Sequence, residues 1–212
     1  MGLRRFALVL VVFLTFSTVV LAQKADVSFV VGGAFVSEDH VAPGVTCTIP
    51  CPLAFNFRTN THVFYEGTGA VRLANFKLAS LHLEVPVAGI PSATVSFSGA
   101  PSLNALKISS VFVTPSLRVT FAPGFPVSPF ASIGGGWAHY SLAGPSTNKG
   151  ALQFGGGVDI KTGIPLLGFR AEVRDFVTDQ PDFGVISIQT VGSPNLGRRH
   201  NVLAGGGIIL RF

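Results

Sequence analysis

The sequence predicts an all-β chain that folds as an eight-stranded antiparallel up-and-down transmembrane β-barrel, preceded by a helical signal peptide. Three observations carry this reading. Helical periodicity is nearly absent from the 212 residues, and strand-like runs of nine or more residues alternate with Gly/Pro/Asn/Ser punctuation. The connections between those runs alternate in length, as in an up-and-down array whose short turns gather at one end. Finally, only 12% of residues are charged while 25 are Gly and 19 are Phe. Yet no apolar run of about 18 residues follows residue 22, so no second membrane-crossing helix is expected.

The elements can be justified in chain order. Two arginines and no acid lie between Met1 and Arg5, followed by an apolar stretch from Phe6 to Leu21 and then Ala22 before Gln23. A basic start, an apolar middle and a small residue before the cut make a secretory signal peptide. Residues 1–22 are therefore read as the signal peptide and 23–212 as the barrel domain. An uncleaved anchor is the alternative, although the segment is short for a full span. No cysteine follows the cut, so a lipid anchor is not expected. Without Arg4 and Arg5, 13 Lys+Arg stand against 10 Asp+Glu, a net of +3. That mild excess in an exported chain does not point to nucleic acid.

Eight runs follow, at 25–37, 61–73, 76–86, 106–121, 127–141, 149–161, 166–178 and 200–212. They reach the roughly 9–11 residues that a membrane-crossing strand needs, whereas globular strands average about 5–6. Within them apolar and polar residues alternate, as a pleated strand with two different surroundings requires. In 61–73, Val63, Tyr65, Val71 and Leu73 oppose Glu66, Thr68 and Arg72. In 76–86, Leu81, Leu83 and Val85 oppose Ser80, His82 and Glu84. In 106–121, Leu117, Val119 and Phe121 oppose Ser116, Arg118 and Thr120, and Pro115 predicts a bulge or kink because it removes a ladder donor.

Run 127–141 is ambiguous, since Phe130 and Tyr140 fall opposite Ile133 and Trp137. In 149–161, Leu152, Phe154, Val158 and Ile160 oppose Gln153, Asp159 and Lys161. In 166–178, Phe169, Ala171 and Val173 oppose Arg170, Glu172 and Arg174. The last run sets Val202, Ala204, Ile208, Leu210 and Phe212 on one face. Closure requires it to pair antiparallel with 25–37. Connections at 74–75, 122–126 and 162–165 are short, those at 38–60, 87–105 and 179–199 long, and 142–148 intermediate. The short turns are expected at the periplasmic end, with both ends of the mature chain.

Where the chemistry could lie follows from the alternation. A membrane barrel turns its apolar face to lipid and its polar face to the lumen. The expected lumenal charge network is Glu66, Arg72, Glu84, Arg118, Asp159, Lys161, Arg170, Glu172 and Arg174. Eight strands enclose a space only wide enough for side chains, and isolated buried ions are costly. Paired charges that close the lumen are therefore expected. A gated pore is the alternative, and a soluble secreted barrel holding an apolar ligand is a second alternative.

Glycine triplets recur in "IGGGW", "FGGGV" and "AGGGI". They lack the lysine and the helix start of a phosphate loop, so they read as strand glycines that ease curvature in a narrow barrel. Cys47 and Cys51 are expected to form a local disulfide, which export permits. No metal and no cofactor are expected. His40, His62, His82, His139 and His200 are scattered. His139 and Ser141 share a face near the outer end of a strand, as a lipid hydrolase would need. A nucleophile also needs a base held by a third group, and none can be named. The chain is accordingly not read as an enzyme, though a lipid-processing one is not excluded. Trp137, Tyr140 and Phe212 read instead as an aromatic girdle at the membrane interfaces.

The segments "PFASIGGGWAHY", "LQFGGGVDI", "LGFRAEVRDF" and "GGGIILRF" together resemble the small outer-membrane β-barrel family typified by the transmembrane domain of outer membrane protein A, and the loosely defined outer-membrane β-barrel domain group. The likeness is best over 106–212. It implies an eight-stranded barrel in the bacterial outer membrane. It also implies an assembly signal at Leu210 and Phe212, read by the β-barrel assembly machinery. Outer-membrane lipid is the expected surrounding. The loops 38–60, 87–105 and 179–199 are where an extracellular ligand would meet a structural or surface-interaction protein.

Overall fold

The computed structural model describes residues 25–37, 57–58, 62–97, 106–142, 144–179 and 198–212. The signal peptide 1–22 and the Cys47–Cys51 pair lie outside the described residues, as do most of 38–60 and 179–199. In chain order the strands are β1 (Ala25–Ser37), β2 (Phe57–Arg58), β3 (His62–Asn75), β4 (Ala79–Phe97), β5 (Leu106–Val113), β6 (Ser116–Phe121), β7 (Val127–Leu142), β8 (Ser146–Lys161), β9 (Leu167–Thr178) and β10 (Arg199–Arg211). β2 is a two-residue addition to the far end of β4, where Phe57 pairs with Phe97. β5 and β6 form one stave of the barrel, interrupted at Thr114–Pro115.

The ladder runs β4–β3–β1–β10–β9–β8–β7, and then through β5 and β6 back to β4. Eight antiparallel staves thus close on themselves, so that among the described residues each stave has a neighbour on both sides. The first and last staves meet as closure demands, with Val27 opposite Leu210 and Phe35 opposite Val202. This seam depends on glycine. A Cβ on Gly207 would run into the Phe29 carbonyl, and one on Gly32 into the Ala204 carbonyl.

Three connections differ from the sequence expectation. The first turn lies at Phe76–Leu78 rather than 74–75, closed by the Phe76 N–H donating to the Ala79 carbonyl at 2.7 Å. The intermediate connection 142–148 contracts to 143–145. The long loop expected at 87–105 is shorter, because β4 continues to Phe97 for a total of 19 residues. Pro86 and Pro91 lie in this stretch and cannot donate to the ladder. Pro86, however, sits opposite the Thr114–Pro115 break, between the pairs Glu84–Ser116 and Val87–Val113. Two positions without an N–H donor therefore share one gap in the ladder. Pro91 falls in the register shift between Ile90 and Ala93.

The alternation is inverted relative to a soluble barrel. Outside, Phe29, Val63, Ile133, Trp137, Phe154 and Phe169 are exposed, Ile133 by 69%. Inside, Glu66, Glu84, Arg118, Arg170 and Arg174 are buried at 1% exposure or less. This overturns the alternative of a soluble barrel with an apolar interior. Along β7 the outward apolar positions run from Val127 to Trp137, and on the paired stretch of β8 from Ile160 to Leu152 and Gly150. Ten residues rising about 3.3 Å each along a strand tilted by about 40° cover roughly 25 Å, the height of an outer-membrane lipid band.

Candidate functional site

The lumen is filled in layers. Its middle is organised by Arg174 on β9, whose guanidinium faces three carboxylates from three staves. Nε lies 3.0 Å from Glu66, Nη1 2.8 Å from Glu84 and Nη2 3.1 Å from Glu172. Strand parity delivers all four side chains inward. Gly155 on β8 leaves the room, since a Cβ there would lie 2.9 Å from Arg174 Cγ. Glu84 is shared with Arg118, at 3.4 Å, and also accepts from Ser116 at 3.1 Å. Thr68 donates to Glu66 at 2.9 Å.

Nearer the short turns, Arg170 holds Asp159 through two bonds, at 2.8 and 3.0 Å. Paired donation of this kind is the strongest arrangement open to an arginine and a carboxylate. Arg118 donates to Asp26 at 2.6 Å. Phe130 lies between these arginines, with Arg170 4.7 Å and Arg118 5.7 Å from its ring centre. Cations stacked on a ring face gain from its quadrupole. Below this layer a cavity of about 560 Å³ is lined by Asp26, Arg72, His82, Arg118, Asp159 and Arg211 among others.

Toward the other end the filling becomes apolar. Val30, Phe64, Ile90, Phe112, Phe176 and Leu203 form one buried cluster with Ala34, Ala88, Ala138, Ala151 and Tyr140. Phe112 packs against Phe176 with ring centres 4.9 Å apart, and against Tyr140 edge-on at 6.0 Å. Gly205 again makes space, since a Cβ there would lie 2.9 Å from the tip of Phe64. The Tyr140 hydroxyl pairs with Thr178 at 2.8 Å, and Arg199 lies over its ring at 5.7 Å.

Of the residues singled out from sequence, Glu66, Glu84, Arg118, Asp159, Arg170, Glu172 and Arg174 come together inside. Arg72 reaches the turn-end cavity, partly exposed. Lys161 stays on the exposed rim, where it donates to the Pro123 carbonyl, so it does not join the buried layer. Tyr140 is a correction: it is 0% exposed and belongs to the apolar cluster, not to an outer girdle. The even spacing from Phe130 to Tyr140 puts both rings inside, which also resolves the ambiguity of this run. Trp137 and Phe212 point outward and are exposed, and Leu210 shares their face.

Three features were missed. Asp26 is the only acid in the first run, and nothing local places it against Arg118 on β6. His82 stands on the polar face with Glu84, as its periodicity predicts, but was not counted in the expected network, although it lies 3.2 Å from Arg118. The apolar cluster has no local signal, because inward and outward phenylalanines look alike in a sequence.

No family model matches the chain, and no curated protein matches it by sequence. Solved structures do match its fold. Neisserial surface protein A is 12% identical with a TM-score of 0.53, over 89% of this chain and 97% of that one. The outer membrane protein OprG from Pseudomonas aeruginosa is 10% identical with a TM-score of 0.50, over 90% and 96%. The fold shared with both is the small outer-membrane β-barrel.

Proposed function

We propose that this outer-membrane β-barrel is a closed barrel whose function resides on its outer surface rather than in a conducting lumen. The observation that carries the reading is the two-layer filling. Arg174 with its three carboxylates occupies the middle, and the Phe64–Phe112–Phe176 cluster occupies the end away from the short turns. A path for ions would have to break buried pairs, which costs about 3–5 kcal/mol for each partner removed, and also part an apolar aromatic cluster. The turn-end cavity stops at the Arg118–Asp159 layer and is a vestibule. The outer loops are then the surface offered to an extracellular ligand, outer-membrane lipid surrounds the band of exposed apolar side chains, and the β-barrel assembly machinery inserts the chain.

Planar-bilayer recording with the refolded protein tests this. The closed reading expects no steady conductance from the unaltered chain. It expects a conductance to appear in a double variant that removes one element of each layer, such as Arg174→Ala with Phe112→Ala. Steady ohmic current from the unaltered chain would establish the pore reading instead.

A further inference from the structure

The wall of the turn-end vestibule carries more positive charge than its own acids balance. Strand register builds that wall as a ring of inward side chains. Arg211 on β10 stands opposite Asp26 on β1. Arg72 on β3 stands opposite His82 on β4, and His82 opposite Arg118 on β6. Across the barrel, Asp159 on β8 stands opposite Arg170 on β9. Gly168 lets Arg211 fold over its strand, since a Cβ there would lie 2.7 Å from Arg211 Nη1.

Both acids of the ring are already engaged. Asp26 accepts from Arg118 at 2.6 Å, and Asp159 takes two bonds from Arg170. His82 Nδ1 accepts from Arg118 at 3.2 Å, so that imidazole carries no charge. Arg72 and Arg211 are left as surplus. Arg211 makes a longer contact, 3.4 Å, to the Asp159 oxygen that Arg170 already holds. Arg72 Nε has no hydrogen-bond partner among the described residues. The carboxylates of Glu66, Glu84 and Glu172 lie one layer deeper, gathered on Arg174, and do not line the cavity.

The floor of the cavity has unused donors as well. Arg118 is 1% exposed and Thr120 5%, and both line the cavity. Among the described residues, Arg118 Nε and the Thr120 hydroxyl have no hydrogen-bond partner. Buried donors are rarely left unmade. One acceptor, Asp26 Oδ1, is also without a partner and suits a hydroxyl on the same ligand. The volume of about 560 Å³ falls within the range of small-molecule sites, about 300–1,000 Å³. It exceeds what a bare oxyanion fills. Pro123, Ile164, Pro165 and Leu166, from two of the short turns, supply an apolar lip against which an organic body can rest.

We infer that this vestibule binds a phosphate monoester carried on a small organic body. Arg72 and Arg211 are its principal partners, and Arg118 and Thr120 meet it at the floor. Two surplus arginines match the charge of a phosphate monoester, about −1.5 to −2 at pH 7, better than that of a carboxylate. Planar guanidinium groups also suit phosphate oxygens, which accept paired bonds. The phosphate can belong to a soluble metabolite or to a lipid headgroup, and both present the same chemistry to the ring.

The test is calorimetric titration of the refolded barrel in uncharged detergent with glycerol 3-phosphate. One saturable site per barrel is expected. Acetate should bind at least about tenfold more weakly, because it brings a single charge and fewer acceptors. Arg72→Ala and Arg211→Ala should each weaken glycerol 3-phosphate by about tenfold or more, the loss of a charge-assisted hydrogen bond. Arg198→Ala, at the opposite end of the barrel, should leave it unchanged. Neither Arg72 nor Arg211 belongs to the fully buried layers, so all three variants should keep heat-modifiable mobility. A second arm uses the barrel in phosphatidylcholine vesicles with and without phosphatidic acid. Displacement of glycerol 3-phosphate by phosphatidic acid assigns the site to a lipid headgroup, and undiminished binding assigns it to soluble phosphates. A folded barrel that gives no saturable binding of glycerol 3-phosphate would overturn the inference. So would binding that survives both Arg72→Ala and Arg211→Ala, or that Arg198→Ala weakens equally.

Discussion

Among the buried residues, Arg174 carries the most specific expectation. It is 1% exposed and serves three carboxylates, so Arg174→Ala leaves three buried acids without their common partner. A loss of about 3–5 kcal/mol is expected, read as a lower thermal midpoint for the loss of heat-modifiable mobility. Lys161→Ala, on the exposed rim, should leave that midpoint unchanged, because exposed charges contribute little. Tyr140→Phe removes one buried hydrogen bond to Thr178 and should cost about 1 kcal/mol, with no change in membrane attachment. A girdle residue would show the opposite pattern. The residue scale is also where sequence reading reached least far. Asp26 and His82 acquire their meaning from partners on other strands.

Elements were far more legible than partners. Each of the eight runs corresponds to one stave, because a strand with lipid on one side and packed polar groups on the other must alternate along its whole length. The break at Pro115 was readable for the same reason, since a missing donor has a local cause. The extension of β4 to Phe97 was not readable. Only the neighbouring stave shows that Pro86 falls where the ladder is already interrupted. Two predictions belong to this scale. Gly207→Val should prevent closure between β1 and β10, because the side chain would meet the Phe29 carbonyl, and the protein should remain at its unfolded mobility in detergent. Deleting Phe212, whose N–H donates to the Ala25 carbonyl at 2.8 Å, should impair insertion by the assembly machinery more than refolding in detergent. Equal loss in both assays would argue that Phe212 acts only as the end of the ladder.

For the whole molecule, everything rests on the inversion. A barrel with charged, hydrogen-bonded filling and an exposed apolar outside is stable only where lipid covers that outside. The vestibule, the arginine layer and the aromatic cluster make sense as a closed column within such a shell. The chain has a single tryptophan, Trp137, at the top of the apolar band, so its emission reports this arrangement without any substitution. The decisive measurement is quenching of Trp137 by brominated lipids in reconstituted vesicles. The inversion predicts quenching that is strongest for bromines placed near the headgroup end of the acyl chain. A Trp137 that is untouched by brominated lipids yet quenched by aqueous iodide would contradict it.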